Sequence, residues 1–541
     1  MSPPPFAELA GLLGALKLRS GQGYETVGRR AHLSRSTTHR YCSGLSISPD
    51  FGTLERIAKA CGASDQELAE LHRIWSRARS HGRGGAVPDP PAVSAPAGPA
   101  SAPPTVGRGL FPRFVVALTA AVIAAVMLVA AGDSGPLQPR VSAPVRAFAA
   151  PPWSQSPAPV PASLFGVTMN SSTGAMPTFR VGSVRFWDSR TRWANLEPRR
   201  GAFDWSILDR LVEGAARSRA PALLTFGGTP SWASPAGGRT PYSDDSRSAP
   251  PDNLADWDRF VREVAGHYRG RIGAYELWVL GNDPRFYTGT PETLVEMTER
   301  ASRIIKAADP AATVVCPSFG RLWDTRAAAV MARFAALGGY EHCDVAGVKL
   351  DQLRASEPPE ATLELAQAID RTFHRAGIHP PLWSTGTAYE IPLEGKLDPD
   401  TAADHAVRFY LTGVYARYDR MYFYNWGGSK IPVVLQVEGS APTKAALFVE
   451  ELQRWLNGAE VTSCGAGITA SLAPDVWQCS FVSGAERFVI RWTTAGTARM
   501  TAGAEMRSVR HLDGSSTAVR AGDPLVISER PILIALAGQH T

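Results

Sequence analysis

Hydrophobic residues follow three different patterns along the chain. Between residues 24 and 61 they recur at helical spacing, and between 114 and 131 they form an uncharged run. From residue 163 onward, short apolar runs alternate with amphipathic stretches, which is typical of strand and helix units around a parallel sheet. At about 150 residues per domain, a chain of 541 residues has room for three to four folding units. The pattern therefore predicts a multidomain protein.

Eight short apolar runs after residue 163 are the predicted strands. They begin at Leu164, Ser183, Ala222, Ala274, Thr313, Asp344, Pro381 and Arg420. Helical stretches between them include 257–268, 291–308, 359–376 and 401–416. Residues 163–458 are therefore predicted to form a (β/α)8 TIM barrel. Residues 459–541 contain strand-like pieces and predict a small β-sandwich.

The uncharged run FVVALTAAVIAAVMLVAA at 114–131 is just long enough to cross a bilayer. Proline-rich segments flank it at 83–113 and 132–162 and are typical of extended linkers. We therefore predict one transmembrane helix in the cell membrane, with a cytoplasmic N-terminus and an extracytoplasmic C-terminus. A buried core helix is the alternative, although such a helix would show a polar stripe.

The cysteine positions agree with this orientation. Four of the six cysteines follow the uncharged run, and an oxidising exterior favours disulfides. Cys464 and Cys479 fall on two predicted neighbouring strands and are the predicted disulfide. Cys316 closes one predicted strand and Cys343 precedes the next, which would place two free thiols at opposite ends of a parallel sheet.

Basic residues are concentrated at the N-terminus. Residues 1–82 contain eleven Lys or Arg and seven Asp or Glu, whereas the whole chain carries a net charge of only +6, too little for a protein that coats nucleic acid along its length. In GYETVGRRAHLSRSTTHRYCSG the apolar positions fit two short helices joined by a tight turn. Ser34 is placed to cap the second helix. The groups predicted to reach phosphates and base edges in a major groove are Ser34, Arg35, Ser36, Thr37, His39 and Arg40.

This segment resembles the lambda-repressor/Cro type of helix-turn-helix over residues 5–78. The resemblance implies an all-α domain at 1–82 that binds double-stranded DNA as a homodimer, because one such unit recognises only a half-site. His32 stands where the family usually has a turn glycine, and histidine tolerates the left-handed conformation better than most residues. A helical bundle that binds protein is the alternative.

Four segments of the predicted barrel carry a second resemblance: RFWDSRTRWANLEPRRGAFDWSILD, TFGGTPSWAS, AYELWVLGNDPRFYTGT and YFYNWGG. They resemble the retaining glycoside hydrolases of the barrel clan that includes xylosidases and cellulases. Those enzymes use two carboxylates about 5 Å apart. In the clan the acid lies in an Asn-Glu pair closing the fourth strand, and the nucleophile closes the seventh. This sequence has Val279 and Leu280 at the first place and Gly386 at the second, so we expect no ordinary retaining hydrolysis.

Other carboxylates are candidates for a relocated catalytic pair. Asp188, Asp283 and Asp351 follow the second, fourth and sixth strands, at the face where barrel enzymes carry out their chemistry. A pair about 6.5–9.5 Å apart would support inverting hydrolysis. Glu390 and Glu394 lie in a later loop and could reach inward.

Six aromatic residues at or just past strand ends are candidate sugar platforms, each with a core position as the alternative: Trp187, Trp232, Trp278, Trp383, Tyr424 and Trp426. The resemblance implies that Arg185 loses its carboxylate partner, and Lys349 stands where relatives often carry a histidine. Together these two residues predict a cationic mouth that prefers anionic glycans, such as a cell-wall or capsule polysaccharide.

The sequence contains no P-loop, dinucleotide fingerprint or metal-ligand spacing, so no cofactor and no metal are predicted. The combination predicts a membrane-tethered regulator whose outer barrel senses a glycan and whose inner domain binds DNA. Two alternatives stay open. One is an anchored glycoside hydrolase that uses the relocated carboxylates, and the other is a structural envelope protein whose two domains bind other proteins.

Overall fold

The computed structural model describes residues 5–31, 33, 35–42, 51–81, 148, 150–354, 356–386, 396–429 and 431–537. They belong to two compact units, Met1–Pro136 and Leu137–Thr541. The described part of the first unit is helical, and the second unit combines a parallel barrel with antiparallel sheets.

Amphipathic helices build the N-terminal unit: α1 (Pro5–Arg19), α2 (Tyr24–Arg30), α3 (Arg35–Cys42), α4 (Phe51–Ala60) and α5 (Asp65–His81). Their apolar faces meet in one core, where the fully buried side chains include Leu13, Val27, Leu54, Ile57 and Leu71. The predicted all-α helix-turn-helix fold is confirmed, and α2 and α3 are the two short helices expected from the sequence.

A capping box starts α5. Ser64 Oγ accepts a hydrogen bond from Glu67 N (3.3 Å), and Glu67 Oε2 accepts one from Ser64 N (2.8 Å). Glu67 also forms an ion pair with Arg19 at the end of α1, and the hydrogen bond from Arg19 lowers the pKa of Glu67 to about 2. The first and last helices are therefore joined by charge as well as by apolar packing.

The predicted transmembrane run at 114–131 lies outside the described residues. Among the helices that the structure does describe, none is both long and apolar enough to cross a membrane. The single-pass membrane architecture and the cell-membrane localisation predicted from the sequence are therefore corrected.

The C-terminal unit contains the eight-stranded parallel barrel predicted from the sequence. A separate strand, β1 (Trp153–Pro159), precedes it. The barrel strands are β2 (Phe165–Met169), β3 (Ser183–Phe186), β4 (Ala222–Thr225), β5 (Ala274–Glu276), β6 (Thr313–Val315), β7 (Ala346–Val348), β8 (Leu382–Ser384) and β9 (Arg420–Trp426). Strand β9 pairs with β2, and bridges between Val315 and Val345 and between Phe319 and Val348 connect β6 with β7. Each strand starts within two residues of its predicted position.

Helices alternate with the barrel strands: α6 (Trp193–Leu196), α7 (Ser206–Arg217), α8 (Leu254–His267), α9 (Pro291–Ala308), α10 (Thr325–Ala336), α11 (Thr362–Arg375), α12 (Pro399–Tyr415) and α13 (Lys444–Trp455). Side-chain caps fix where several of them begin. Asn253 accepts a hydrogen bond from Ala255 N, and Thr290 accepts one from Thr293 N. This alternation brings the carboxyl ends of all eight strands to one face of the barrel, called the mouth below.

Antiparallel strands follow the barrel: β10 (Glu460–Ala466), β11 (Val476–Ser483), β12 (Glu486–Thr493), β13 (Thr497–Thr501), β14 (Met506–Arg510), β15 (Ser516–Ala518), β16 (Pro524–Ser528) and β17 (Ile532–Leu536). One sheet has the order β1-β10-β11-β12-β17-β14-β15, and β13 pairs with β16. Strand β1 falls inside the segment 132–162, which the sequence analysis assigned to a linker. Its edge position explains why the strand accommodates Pro157 and Pro159.

Two disulfides cross-link the C-terminal unit. Cys464 and Cys479 lie opposite each other in the β10–β11 register and are bonded. Cys316 and Cys343 are bonded too, in place of the free thiols predicted from the sequence. The reason is that β6 and β7 have only three residues each, so the end of β6 lies beside the residues that precede β7.

Candidate functional site

Helix α3 is the segment predicted to contact DNA. Thr38 is fully buried and Tyr41 is half-buried, so one face of the helix packs on the core. His39 lies on the exposed side and meets the ring of Tyr24 edge-on, with centroids 5.0 Å apart. The DNA contacts assigned to the other residues stay predictions, because the described residues do not include Ser34 or the side chains of Arg35, Ser36, Thr37 and Arg40.

A buried ion pair lies inside the barrel. Arg185 on β3 and Glu276 on β5 are 1% and 0% exposed, and Arg185 Nε lies 2.7 Å from Glu276 Oε2. Thr225 Oγ1 donates a second hydrogen bond to Oε2 (2.7 Å), and Thr385 Oγ1 donates one to Oε1 (3.2 Å). Burial acts to raise the pKa of Glu276, but the nearby charges of Arg185 and Lys349 outweigh it and lower the pKa. Glu276 is thus an ionised acceptor rather than a proton donor.

This pair corrects the expectation that Arg185 has no carboxylate partner. The sequence analysis passed over Glu276, although a signal was present. Side chains alternate between the two faces of a strand, and in AYELW this places Glu276 on the same face as Ala274, which lies in the barrel interior. A charged residue at an inward position of a buried strand requires a charged partner.

Lys349 directly follows β7, and its side chain is buried. Its Nζ donates to the carbonyl oxygen of Thr385 (3.0 Å) and lies 3.4 Å from Thr385 Oγ1. Burial, together with the charge of Arg185, lowers the pKa of Lys349 to about 7, against the opposing effect of the surrounding carboxylates. A methyl group added at Gly386 would lie 3.3 Å from this Nζ, so the amine faces a position without a side chain.

Asp188, just past β3, lies among aromatic hydroxyls. Trp187 Nε1 donates to the hydroxyl of Tyr242 (2.8 Å), which in turn donates to Asp188 Oδ1 (3.0 Å). Burial and the charge of Asp188 raise the pKa of Tyr242 and of Tyr424. Both phenols therefore stay protonated and able to donate hydrogen bonds.

The two residues that the sequence resemblance places at the Asn-Glu pair lie in an apolar cluster. Val279 and Leu280 pack with Trp187 and Phe286, with Tyr242 at the edge, and the first four are at least nine-tenths buried. Leu280 adopts a φ of 47°, a left-handed conformation that is unusual for leucine. The backbone there is held by a hydrogen bond from Leu280 N to Ser318 Oγ (3.2 Å).

The candidate relocated carboxylates have different surroundings. Asp283 is buried and forms an ion pair with Arg285 at 2.7 Å. Asp351 is buried, and its charge acts on Lys349. Asp188 accepts the hydrogen bond from Tyr242. Glu390 and Glu394 lie outside the described residues.

Of the six candidate platforms, Trp187 and Tyr424 lie beside Asp188 at the mouth. Trp278 is fully buried and donates to the carbonyl of Phe286, and Trp426 is buried and donates to Gln436. The other two make contacts away from Asp188. The ring of Trp383 stacks with Arg420 in the barrel interior, and half-buried Trp232 donates a hydrogen bond to the Glu197 carbonyl.

Among the described residues around Arg185 and Lys349, the expected excess of positive charge is not found. Three carboxylates, Glu276, Asp188 and Asp351, accompany the two basic side chains Arg185 and Lys349, which interact with them. The argument for anionic glycans therefore loses its basis. Within the described ranges, no cluster of three or more His, Cys, Asp or Glu could hold a metal ion.

Comparison with known proteins matches each unit to a known fold. A family model described as a helix-turn-helix domain matches residues 8–71. The C-terminal part is similar to a family 39 glycoside hydrolase from the gut symbiont Bacteroides cellulosilyticus WH2, with 14% identity, a TM-score of 0.53, and coverage of 70% of this chain and 81% of that one. It is also similar to a glucosidase from Croceicoccus marinus, with 14% identity, a TM-score of 0.50, and coverage of 71% and 97%.

A conserved exported protein from Bacteroides fragilis has 11% identity and a TM-score of 0.50, with coverage of 72% of this chain and all of that one. No curated protein matches the chain. At these identities the likeness concerns the fold. The chain thus joins an N-terminal helix-turn-helix domain to a barrel with the fold of glycoside hydrolases.

Proposed function

We propose that this chain is a transcription regulator whose helix-turn-helix domain binds duplex DNA and whose barrel binds a glycan without hydrolysing it. The observation that carries the proposal is the state of the mouth. The one carboxylate on the fourth barrel strand, Glu276, is ionised and paired with Arg185. The sequence resemblance puts Leu280 and Gly386 at the positions of the catalytic carboxylates, and Leu280 is buried in an apolar cluster.

The chemistry of hydrolysis explains why this matters. A retaining enzyme needs a protonated carboxyl group for the leaving oxygen and a free carboxylate for the sugar carbon. Leucine can neither donate a proton nor attack, and glycine has no side chain at all. Asp283, the nearest carboxylate in sequence after Leu280, already pairs with Arg285. We therefore expect binding without bond cleavage.

The remaining groups suit a neutral sugar. Asp188 offers an acceptor for sugar hydroxyl groups, and the protonated phenols of Tyr242 and Tyr424 hold this carboxylate in place. Trp187 is buried and positions Tyr242 by donating a hydrogen bond to its hydroxyl. Since the described charges around Arg185 and Lys349 include the three carboxylates Glu276, Asp188 and Asp351, an uncharged glycan would meet less repulsion than a polyanion. This reverses the preference expected from the sequence.

Regulation requires that the glycan bind two states of the protein unequally, because a ligand shifts an equilibrium only by its differential affinity. Two copies of the chain on two half-sites would supply such states, since one helix-turn-helix unit recognises one half-site. A glycan that favours pairing of two chains would then strengthen DNA binding.

The test uses the full chain and a panel of neutral and acidic oligosaccharides. Titration calorimetry measures binding, and mass spectrometry after long incubation detects new oligosaccharides. DNA sites selected from a random duplex library are then bound with and without the best glycan at fixed salt. We expect neutral glycans to bind, no cleavage products, and a changed DNA affinity.

Cleavage products that vanish in an Asp283→Asn variant would establish a hydrolase with relocated carboxylates and overturn the proposal. Absence of any selected duplex would overturn its DNA-binding part. Binding of both ligands with no effect of one on the other would overturn the regulatory part alone.

A further inference from the structure

Two neighbouring clefts lie where residues 150–153 enter the C-terminal unit. The larger one, between helix α11 of the barrel and strand β11 of the sandwich, has a volume of about 570 Å³, and the smaller one has about 160 Å³. Both are lined by Ala150, Pro151 and Gln367, so they lie on the two sides of one chain segment. The larger volume is in the range of ligand sites, about 300–1,000 Å³, and such sites occur preferentially where domains meet.

The smaller cleft lies at the amino-terminal ends of the barrel strands, opposite the mouth. Leu382, the first residue of β8, lines it, and so do Arg417 and Tyr418, which shortly precede β9. The glycan proposed above would bind at the other end of the barrel, where the strands terminate. The two clefts are therefore a separate site, to which the proposed function assigns no ligand.

A buried hydroxyl group at the smaller cleft lacks a partner. Only 4% of Tyr418 is exposed, and its hydroxyl forms no hydrogen bond within the described ranges. The carboxylate of Asp370 lines the same cleft, and burial together with this charge raises the pKa of Tyr418. A buried hydroxyl without a partner is unfavourable. A ligand group that donates hydrogen bonds to both the phenol oxygen and the carboxylate would remove this penalty.

The charges and rings that line the clefts favour a cation. The aromatic lining residues are Phe148, Trp153, Tyr415, Tyr418 and Trp477. Asp475 is the charged residue of the larger cleft, and none of the described residues that line it is basic. The smaller cleft is lined by Asp370 and by Arg417, the one basic residue. Each cleft thus offers a carboxylate, and aromatic faces also attract cations.

The walls are held in place by contacts within the chain. The hydroxyl of Tyr415 lies 3.2 Å from the carbonyl oxygen of Ala150 and 3.3 Å from that of Pro151. Trp153 Nε1 donates to the Tyr415 carbonyl (2.8 Å). Trp477 packs against the Tyr415 ring, with centroids 5.3 Å apart. A site with fixed walls loses less conformational freedom when a ligand binds.

We propose that these clefts bind a linear aliphatic diamine or polyamine. One ammonium group, which has three donors, forms hydrogen bonds with Asp370 and with the hydroxyl of Tyr418. A second ammonium group lies beside Asp475, and the methylene chain between them runs along Pro151 and Gln367, which line both clefts. Such amines are protonated at neutral pH, as an ordinary lysine side chain is.

Titration calorimetry of the full chain with putrescine and spermidine tests the proposal. Butylamine has one ammonium group and butanediol has none, and both have the chain length of putrescine. We expect one binding site per chain for both polyamines, weaker binding of butylamine, and no binding of butanediol. Binding of butanediol equal to that of putrescine would overturn the proposal, as would the absence of binding by either polyamine.

Tyr418→Phe separates ligand binding from folding. It removes a hydroxyl group that has no partner among the described residues, so the free energy of unfolding should not fall in a urea titration. The affinity for putrescine should nevertheless fall by about tenfold, the usual contribution of a hydrogen bond to a charged group. An unchanged affinity in this variant would overturn the proposal.

The two carboxylates distinguish the ends of the ligand. Asp370→Asn should weaken spermidine and butylamine alike, by at least about threefold, whereas Asp475→Asn should weaken spermidine but not butylamine. Arg417→Asn should strengthen the binding of both, because it removes a like charge. Asparagine also tolerates the left-handed φ of 59° at this position.

Glu213→Gln is the matched control, because this exposed carboxylate on α7 lines neither cleft. An equal loss of spermidine affinity in this variant would mean that polyamines are attracted to the surface in general, and it would overturn the proposal. None of the mouth residues named above lines these clefts, and no DNA or glycan is present, so the result is independent of the proposed function.

Discussion

Replacing Glu276 with glutamine removes the carboxylate that pairs with Arg185 inside the barrel. The two side chains are 1% and 0% exposed, so water cannot take the place of the lost partner. Arg185 Nη2 already lacks a hydrogen-bond partner among these residues. The substitution would therefore leave a guanidinium group buried without compensation.

The size of the effect follows from the distance. At 2.7 Å and an effective dielectric constant of about 20, the pair has a Coulomb energy of about 6 kcal/mol. Glutamine recovers part of this by accepting one of the hydrogen bonds. We expect the free energy of unfolding to fall by about 3–5 kcal/mol, the usual result of removing one partner of a buried pair.

Urea titration followed by tryptophan fluorescence measures this loss. All of the fourteen tryptophans except Trp75 belong to the C-terminal unit, so the signal reports on the barrel and its sandwich. Glu292→Gln is the matched control. Its ion pair with Arg333 has the same length, 2.7 Å, but the side chains are 52% and 55% exposed, and we expect a much smaller loss than for Glu276→Gln.

Equal losses in the two variants would refute the reasoning, because the two ion pairs have the same length and the argument rests on burial. A double variant, Arg185→Met with Glu276→Leu, gives a second check. It leaves no unpaired charge, so it should be more stable than Glu276→Gln alone.

Three further predictions concern other parts of the chain. The lowered pKa of Lys349, about 7, means that the unfolded chain binds more protons above pH 7, so the free energy of unfolding should rise from pH 7 to 9 by up to about 1.4 kcal/mol per pH unit. Urea titrations of the native chain and of Lys349→Met at both pH values measure this difference. Replacing Arg35 and Arg40 with alanine should weaken duplex binding and reduce the slope of log affinity against log salt by about 1.8, as measured by fluorescence anisotropy. Replacing Cys464 and Cys479 with serine opens a cross-link that spans 15 residues, and urea titration should show a loss of about 3 kcal/mol.

Each of these has an outcome that contradicts it. A pH dependence that survives in Lys349→Met would assign the effect to other groups. A salt slope that changes equally in Arg73→Ala, an exposed position on α5, would mean a general loss of charge rather than lost contacts of α3. Unchanged unfolding midpoints without the cysteines would mean that the β10–β11 pairing alone holds these strands.

The barrel strands were predictable because each is a short apolar run between polar loops, and hydrophobic periodicity is a local property. Which aromatic residues lie at the mouth was not predictable in this way. Trp278 is two residues past β5 but turns into the layer between strands and helices, where it contacts Trp257. Position in the sequence gives the strand end, whereas the direction of a side chain beyond that end depends on the loop.

The ionic partners at the mouth were even harder to predict from the sequence. Glu276 and Arg185 lie 91 residues apart, on strands separated by β4. The alternation of side chains within AYELW indicates that Glu276 points inward. Which basic residue lies at the same height in the barrel depends on how the strands are arranged in three dimensions. The disulfide between Cys316 and Cys343 was missed for the same reason. Strand length and stagger decide which residues become neighbours, and neither can be read from the sequence pattern.

Strand β1 determines where tension on the chain would act. The polypeptide enters the sheet at Trp153, opposite Cys464, before it continues into the barrel. Cys464 is bonded to Cys479 on the next strand, and Trp153 also donates a hydrogen bond to the Tyr415 carbonyl of α12. A force applied to the preceding segment would therefore act first on the pairing of β1 with the disulfide-bonded strand β10. The barrel strands would bear no force until β1 separates from β10.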